Sequence, residues 1–226
     1  MQKTQQILFL HGYLSNGKSF FNQIKFFERD YQVFYPDFKG FGDNPNMPYP
    51  YSLDDYVEDL KEYMDKNQIF CPHVVAHSFG GRVALKMASQ NDSVFDKLVL
   101  TGCAGLKPKS TFKKTSKKIV FNVLKKFIEK ERLKSFYSSD YLALDPIMQQ
   151  SFIKIVSEHL DWCLESIKNR TLIIFGVKDN QTPLYMARRL QAGIKNSRLI
   201  IFENAGHFCF LDKPIKFNME VKEFLL

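Results

Sequence analysis

The segment 76–81, with the sequence AHSFGG, joins an apolar run to a helix-period segment. A serine in such a sharp turn projects from the end of a strand and can act as a nucleophile. The turn is sterically tight, so the residues two before and two after the serine must be small. Ala76 and Gly80 meet this condition. The pattern predicts a nucleophile elbow at Ser78, and the alternative is an ordinary turn between a strand and a helix.

Two further side chains are placed to activate that serine. His207 follows the last predicted strand, in the segment 204–208 of sequence NAGHF, and Asp179 follows the strand before it. A serine hydroxyl needs a base with a pKa near 7, which imidazole supplies, and a carboxylate can orient that imidazole. We therefore predict a catalytic triad of Ser78, Asp179 and His207. The alternatives are a surface-loop histidine and an aspartate that only stabilises a turn.

The sequence HGYL at 11–14 directly follows the first predicted strand. Attack on a carbonyl group places negative charge on its oxygen, and two preorganised backbone amides stabilise that charge. Phe79, which follows the nucleophile, and Tyr13, which follows the loop glycine, are the best-placed donors, and Leu14 is a weaker one. We predict an oxyanion hole formed by the amides of Phe79 and Tyr13, and a structural role for His11.

Apolar runs that alternate with helix-period segments supply the framework for these residues. This alternation is typical of parallel strands joined by crossover helices. The predicted strands are 6–10, 32–35, 73–76, 97–101, 171–175 and 198–202, and the predicted helices are 52–66, 79–90, 184–192 and 213–226. Ser52 and Asp55 are expected to cap the first helix. The sequence predicts an α/β fold, a mostly parallel sheet of about six strands flanked by helices, in a single domain spanning 1–226.

Residues 107–168 interrupt this alternation between the fourth and fifth predicted strands. They contain no convincing strand and much helix-period sequence, which predicts a helical cap inserted within the domain. Pro108 and Pro146 predict kinks or boundaries inside it, because proline cannot donate a backbone hydrogen bond. The part from 107 to 134 holds eleven lysine and arginine residues against two glutamates, whereas the net charge of the whole chain is +8.

The composition excludes several classes of protein. The chain has 226 residues, of which 45% are hydrophobic and 25% charged, which is typical of a globular domain and argues against disorder. No apolar run reaches the ~18 residues of a membrane-spanning helix, so we expect a cytoplasmic protein. The cysteines at 71, 103, 163 and 209 lack the paired spacing of a metal site, which predicts no metal site and mostly buried, free thiols.

These motifs, in this order, resemble the α/β-hydrolase superfamily of the small capped serine-esterase type. The resemblance covers the chain from residue 6 onward and rests on the HGYL loop, the PDFKGFG segment at 36–42, the elbow at Ser78, and the late Asp179 and His207. It implies a hydrolase that cleaves a carboxylic ester or thioester through an acyl-enzyme, without metal or organic cofactor. Alanine at 76 departs from the usual glycine of the elbow.

In plan, the chain resembles the esterases that demethylate pimeloyl-carrier-protein esters, in which a basic cap meets an acidic carrier protein. That resemblance implies an acyl ester substrate and a carrier protein docked on the lysine-rich part of the cap. A solvated helix face and an anionic membrane surface are the alternatives, and nucleic acid is disfavoured because no recognition motif is present. The acyl tunnel would be lined by Phe112, Phe121, Leu124, Phe127, Phe136, Tyr137, Leu142, Phe152 and Trp162.

Two other functions stay open at this stage. Related members with the same triad hydrolyse carbon–carbon bonds in ring-cleavage products, although the short chain and Phe208, where such members often carry tryptophan, favour an ester. A non-catalytic binding protein on the same fold is the third reading. The complete set of three catalytic side chains argues against a pure binding role.

Overall fold

The computed structural model of the protein describes residues 5–109 and 144–226. Its strands are β1 (Gln6–Leu10), β2 (Gln32–Phe34), β3 (His73–His77), β4 (Lys97–Thr101), β5 (Arg170–Gly176) and β6 (Ser197–Phe202). They form one six-stranded sheet in the order β2-β1-β3-β4-β5-β6, and all neighbouring pairs are parallel. The prediction of an α/β fold with about six mostly parallel strands is confirmed, with strand bounds that differ by at most one residue.

Helices cover both faces of this sheet. They are α1 (Phe21–Phe27), α2 (Leu53–Lys66), α3 (Phe79–Gln90), α4 (Pro146–Ser157), α5 (Leu184–Gly193), α6 (Cys209–Asp212) and α7 (Pro214–Leu225), with 3-10 turns at Gly17–Phe20 and Asp161–Ser166. Successive strand residues point to opposite faces. In β1, Leu8 and Leu10 therefore belong to the core cluster that includes residues of α2, α3 and α5, whereas Ile7 and Phe9 belong to the cluster that includes residues of α1 and α7. Burial on both faces explains why the strands are near-continuous apolar runs.

The capping box predicted for α2 is present. The amide of Asp55 donates to Ser52 Oγ at 3.3 Å, and the amide of Ser52 donates to Asp55 Oδ2 at 2.6 Å. These two bonds satisfy amides that the first turn of a helix leaves without partners, a contribution of about 1 kcal/mol. The helix begins at Leu53 because of this local chemistry, one residue after the cap.

Two helices were not predicted from the sequence. Helix α1 has only seven residues, FNQIKFF, and α6 has four. Segments of one or two turns are too short to show a helical period, and their stability comes from packing rather than from propensity. Phe27 of α1 and Phe210 of α6 are both buried in the core on the α7 side of the sheet.

The predicted cap, residues 107–168, lies in part outside the described residues. Within 107–109 and 144–168 the structure shows helix α4 and a 3-10 turn, and no strand. Pro146 is the first residue of α4, which confirms the predicted boundary, and the carboxylate of Asp145 accepts the amides of Ile147 and Met148 at 2.8 and 3.0 Å. Pro108 lies in a loop. The remainder of the cap stays a prediction.

Helix α4 is anchored to the segment before α2. Ser151 Oγ donates to the carbonyl of Tyr51 at 3.0 Å, and Lys154 Nζ donates to the carbonyl of Pro50 at 2.6 Å.

Across the described parts of the chain, no helix has the length and hydrophobicity that a membrane span requires.

Candidate active site

Ser78 occupies the turn between β3 and α3 with an unusual backbone. Its φ is 49° and its ψ is −107°, values that a side-chain-bearing residue rarely adopts. The strain is held by hydrogen bonds, because the Ser78 amide donates to the carbonyl of Thr101 at 3.1 Å and the Ser78 carbonyl accepts the amides of Gly81 and Ala104, both at 3.1 Å. Ser78 is half-buried. The predicted elbow geometry is therefore present.

Two glycines let the backbone close around this turn. A Cβ on Gly80 would lie 2.3 Å from the carbonyl oxygen of Leu10, and one on Gly12 would lie 2.7 Å from His77 Nδ1 and 3.4 Å from Ser78 Cβ. Helix α3 and the loop after β1 could not approach each other with larger residues at these positions. The small residue expected at position 80 is thus explained by contact with β1.

Asp179 and His207 meet beyond the carboxyl ends of β5 and β6. Asp179 Oδ2 lies 2.9 Å from His207 Nδ1, and both side chains are buried. Because the carboxylate is an acceptor, Nδ1 carries the proton in neutral His207 and Nε2 keeps its lone pair. This is the tautomer that a general base needs. Asp179 also accepts the amides of Gln181 and Thr182 at 2.9 and 2.8 Å, so the alternative turn-forming role holds as well.

Thr182 completes the environment of the carboxylate. Its Oγ1 lies 2.7 Å from Asp179 Oδ2 and 3.1 Å from the carbonyl of Gly102, so its single proton serves one of these acceptors. Burial alone raises the pKa of Asp179, but the hydrogen bonds from His207 and Thr182 outweigh burial and lower that pKa overall. Asp179 therefore stays ionised at neutral pH and can stabilise an imidazolium.

His77 connects the nucleophile strand to the His207 loop. His77 Nε2 donates to the carbonyl of His207 at 3.1 Å, and the two rings lie 4.6 Å apart. Burial lowers the pKa of His77 to about 3, so its ring is neutral at physiological pH. Since Ser78 follows His77 directly, this bond fixes the His207 loop beside the nucleophile.

His11 holds the other loop in place. Its Nδ1 donates to the carbonyl of Gly12 at 2.8 Å, and its Nε2 accepts the amide of Phe38 at 3.0 Å. The ring is buried, and burial lowers its pKa. With both nitrogens used by the backbone, His11 is structural, as the sequence indicated.

A cavity of about 510 Å³ opens at this point of the molecule. Its lining includes Tyr13, Ser78 and Phe79. It also includes Thr182 and Phe208, which are neighbours of the predicted residues Asp179 and His207. Most of its remaining walls are apolar side chains of the loop after β1, of α4 and of the segment just before α4: Leu14, Leu144, Phe152, Ile155 and Val156. Size and lining are those of a small-molecule site.

The structure brings the five predicted site residues to one edge of the sheet. Ser78 lies one residue after β3, Asp179 three residues after β5 and His207 five residues after β6. Phe79 is the first residue of α3, where amides have no partner inside the helix. Tyr13 follows Gly12 and contacts the ring of Phe79, with centroids 5.8 Å apart. Their catalytic roles belong to the proposal below.

Sequence reasoning missed the supporting residues. His77 and Thr182 each bond to a partner more than 20 residues away, so no local pattern signals them. Of the predicted tunnel residues, Phe152 lines the cavity. The prediction for Trp162 is wrong, because 67% of this residue is exposed and it does not line the cavity. The other seven predicted tunnel residues lie outside the described residues.

Among the described residues, no cluster of three histidine, cysteine or acidic side chains could hold a metal ion.

Comparison with known proteins shows the family. A family model described as the alpha/beta hydrolase fold matches residues 6–129, more than half of the chain. The chain therefore belongs to the α/β-hydrolase fold family. Among curated proteins it is similar to the AB hydrolase superfamily protein YisY of Bacillus subtilis, with 28% identity over 242 residues that cover 96% of this chain and 90% of the relative.

Two solved structures illustrate the range of activities within the family. An esterase from Exiguobacterium antarcticum superposes with a TM-score of 0.78 at 25% identity, covering 99% of this chain and 92% of the esterase. A meta-cleavage product hydrolase from Pseudomonas fluorescens IP01, solved with acetates, superposes with a TM-score of 0.75 at 26% identity, covering 100% and 92%.

The neutral state of buried His77 predicts a pH dependence of stability. Its pKa falls from 6.5 in the unfolded chain to about 3 in the folded one, so the unfolded state binds the proton first on acidification. The contribution of neutral His77 to the free energy of unfolding is fully present above pH 6.5 and is lost as the pH falls toward 3. Between pH 7.5 and 5, wild type should lose about 2 kcal/mol more free energy of unfolding than His77→Phe, measured by urea denaturation.

Two substitutions of His77 that remove its titratable group but preserve part of its contacts isolate this effect. His77→Phe keeps an aromatic ring beside Phe208 and Phe210, whereas His77→Gln keeps a nitrogen donor, and neither variant titrates. Parallel pH profiles for wild type and both variants would show that His77 is protonated with its ordinary pKa.

Proposed function

We propose that this protein is a serine hydrolase that cleaves a carboxylic ester or thioester through an acyl-enzyme. Ser78 is the nucleophile, His207 the general base and Asp179 the group that orients the imidazole. The amides of Phe79 and Tyr13 stabilise the oxyanion. The observation that carries this proposal is the 2.9 Å bond between His207 Nδ1 and Asp179 Oδ2, placed beyond the same sheet edge as the strained serine.

The reaction follows from the tautomer of His207. Its free Nε2 accepts the proton of Ser78 Oγ as that oxygen bonds to the carbonyl carbon, and the carbonyl oxygen becomes an anion held by the two amides. Collapse of this intermediate breaks the bond to the leaving alcohol or thiol, which takes the proton from His207. A water molecule then attacks the acyl-enzyme while His207 accepts its proton. His207 passes that proton to Ser78 Oγ as the acid is released, which restores Ser78.

Preorganisation around the site supports this mechanism. Asp179 is held by two amides and lies within hydrogen-bonding reach of Thr182, so it does not rotate away when the imidazole becomes charged. The His207 loop is held through its carbonyl by His77. A binding protein gains nothing from a strained serine and a buried, ionised aspartate, whereas an acyl-transfer enzyme needs both.

Hydrolysis of a carbon–carbon bond is a second candidate. The meta-cleavage product hydrolase matches this chain as well as the esterase does, in both identity and TM-score. The argument from Phe208 and chain length therefore does not decide between the two reactions. In this alternative the same three side chains serve a substrate whose leaving group is a carbon atom that must be protonated.

Labelling with a fluorophosphonate probe tests the nucleophile. Wild type should be modified covalently at one serine, because the probe captures an activated hydroxyl, and neither Ser78→Ala nor His207→Ala should react measurably. Asp179→Asn should stay folded and lose about 10³-fold to 10⁴-fold in turnover, since the amide favours the wrong tautomer of His207.

The matched control for Asp179→Asn is Asp30→Asn, which alters an exposed carboxylate far from the sheet edge. It should react like wild type. Labelling that persists in Ser78→Ala would place the nucleophile elsewhere, and full turnover in Asp179→Asn would assign the orienting role to another carboxylate.

A substrate panel decides the reaction class. We expect p-nitrophenyl esters of graded acyl length to be hydrolysed with kcat/KM at least tenfold above that for a ring-cleavage product of the hydroxy-oxo-dienoate type, followed by loss of its visible absorbance. Ser78→Ala measured on both substrates is the control. Faster cleavage of the dienoate than of every ester would favour the carbon–carbon reaction.

We further propose that the lysine-rich part of the cap docks an acidic acyl carrier protein. The charge of 107–134 supports this, because clustered like charge raises the encounter rate with an oppositely charged partner. Residues 110–134 of this segment lie outside the described residues.

A salt series tests the docking. Turnover of a carrier-linked methyl ester should fall about tenfold between low and high ionic strength, whereas turnover of the free methyl ester should hardly change. Charge reversal at two cap lysines, Lys113→Glu with Lys114→Glu, should reduce only the carrier-linked rate. Reversal at Lys25, an exposed residue of α1, should change neither rate. Equal rates without salt dependence would dispose of the docking.

A further inference from the structure

Arg82 is a buried cation on the wall of the cavity. It lies four residues after Ser78, one turn into α3, so both residues share one side of that helix. Only 8% of Arg82 is exposed. Among the described residues that line the cavity, Arg82 is the one charged side chain, and its neighbours there are mainly apolar.

Among the described residues, no carboxylate forms a salt bridge with the guanidinium of Arg82; the nearby carboxylate of Glu158 attracts it but is paired with Lys86. Its Nη1 donates to the carbonyls of Ile155 and Glu158 at 2.8 and 2.9 Å, at the carboxyl end of α4. Within the described residues it forms no salt bridge, and its Nε and Nη2 donate no hydrogen bond. A buried charge that no counter-ion contacts is costly, and arginine in that state is rare in proteins.

The next cation on the same helix shows the contrast. Lys86 lies one turn further along α3 and is equally buried, but its Nζ contacts two carboxylates, Asp54 at 2.7 Å and Glu158 at 2.6 Å. The fold thus neutralises the buried lysine that is away from the cavity lining. The carbonyls that Arg82 contacts anchor α4, but they supply no full negative charge.

We propose that Arg82 binds a carboxylate carried by the substrate. A guanidinium presents five donors in a planar fork that matches a carboxylate, and Nε and Nη2 hold the three that Nη1 does not. The inference rests on the proposed function, and it narrows the substrate to an anion such as the monoester of a dicarboxylic acid. Ser78 and Arg82 line the same cavity, so one small substrate can reach both residues.

Matched pairs of esters test this specificity. Each pair has equal acyl length and differs in its end, a carboxylate in one ester and a methyl group in the other, with the series running from succinyl to adipyl p-nitrophenyl esters. Wild type should favour the acid ester in kcat/KM. Arg82→Gln should lower the ratio of acid to neutral ester by about 30-fold, the loss expected for hydrogen bonds between two charged groups, and Arg82→Lys should lower it less.

Lys86→Gln is the control for lost anchoring of α4. It removes a cation from the same helix and from the same end of α4, and the proposal predicts that it leaves the ratio of acid to neutral ester unchanged. A ratio that does not move in Arg82→Gln, or that moves equally in Lys86→Gln, would overturn the proposal.

A binding measurement separates this inference from the proposed hydrolysis. Monomethyl glutarate, titrated calorimetrically into Ser78→Ala, should bind at least tenfold more tightly than into Ser78→Ala with Arg82→Gln. If that difference appears and wild type cleaves no ester, the carboxylate site stands and the proposed function fails. If esters are cleaved but the two binding curves coincide, the hydrolysis stands and the role of Arg82 is wrong.

Discussion

The strained backbone at Ser78 is the constraint on which the rest of the site depends. A positive φ at a serine is unfavourable, and it persists here because neighbouring strands and the next turn of α3 bind its amide and carbonyl. The same turn brings the first amide of α3 to the cavity. Because Gly12 and Gly80 have no side chain, β1 and the loop after it can pack closely against the Ser78 turn and α3.

The parallel sheet converts this local strain into a site. Strands β3, β4, β5 and β6 pair in register up to His77, Thr101, Gly176 and Phe202, so their carboxyl ends lie at one edge. Each strand is followed by a loop of different length, and the length decides how far the next side chain reaches. Hydrogen bonds then fix the loops: Thr182 Oγ1 contacts the carboxylate of Asp179, and His77 donates to the carbonyl of His207. The scaffold is therefore set by register and the chemistry by a few polar contacts.

The sequence was sufficient for the parts of the protein in which local pattern and tertiary structure agree. Strands such as β1 and β4 were predicted to the residue because burial on both faces leaves an uninterrupted apolar run. The elbow was predicted because the tight turn demands small residues at fixed distances from Ser78. Helix α1 was missed because seven residues carry too little period, and the exposed position of Trp162 depends on packing that composition does not encode.

Residues whose partners lie far along the chain were invisible for the same reason. His77, Thr182 and Arg82 each look like ordinary members of a strand, a loop and a helix. Their partners, the carbonyl of His207, the carbonyl of Gly102 and the end of α4, are known only once the chain is folded. A sequence pattern predicts the groups that the backbone geometry requires, but it does not predict groups chosen by a tertiary neighbour.

The triad alone does not fix the substrate. In the proposed mechanism, proton transfer between Ser78 and His207 is the same whether the leaving atom is oxygen, sulfur or carbon, so the choice among them lies in the walls of the cavity. Those walls are mostly apolar, with Arg82 as the one charged side chain among the described residues that line them, and an apolar wall discriminates weakly between substrates of similar size. A buried cation discriminates strongly, because an uncharged group placed against it leaves its donors unpaired. In the proposed mechanism, substrate selection is therefore exerted by the helix that follows the proposed nucleophile, Ser78.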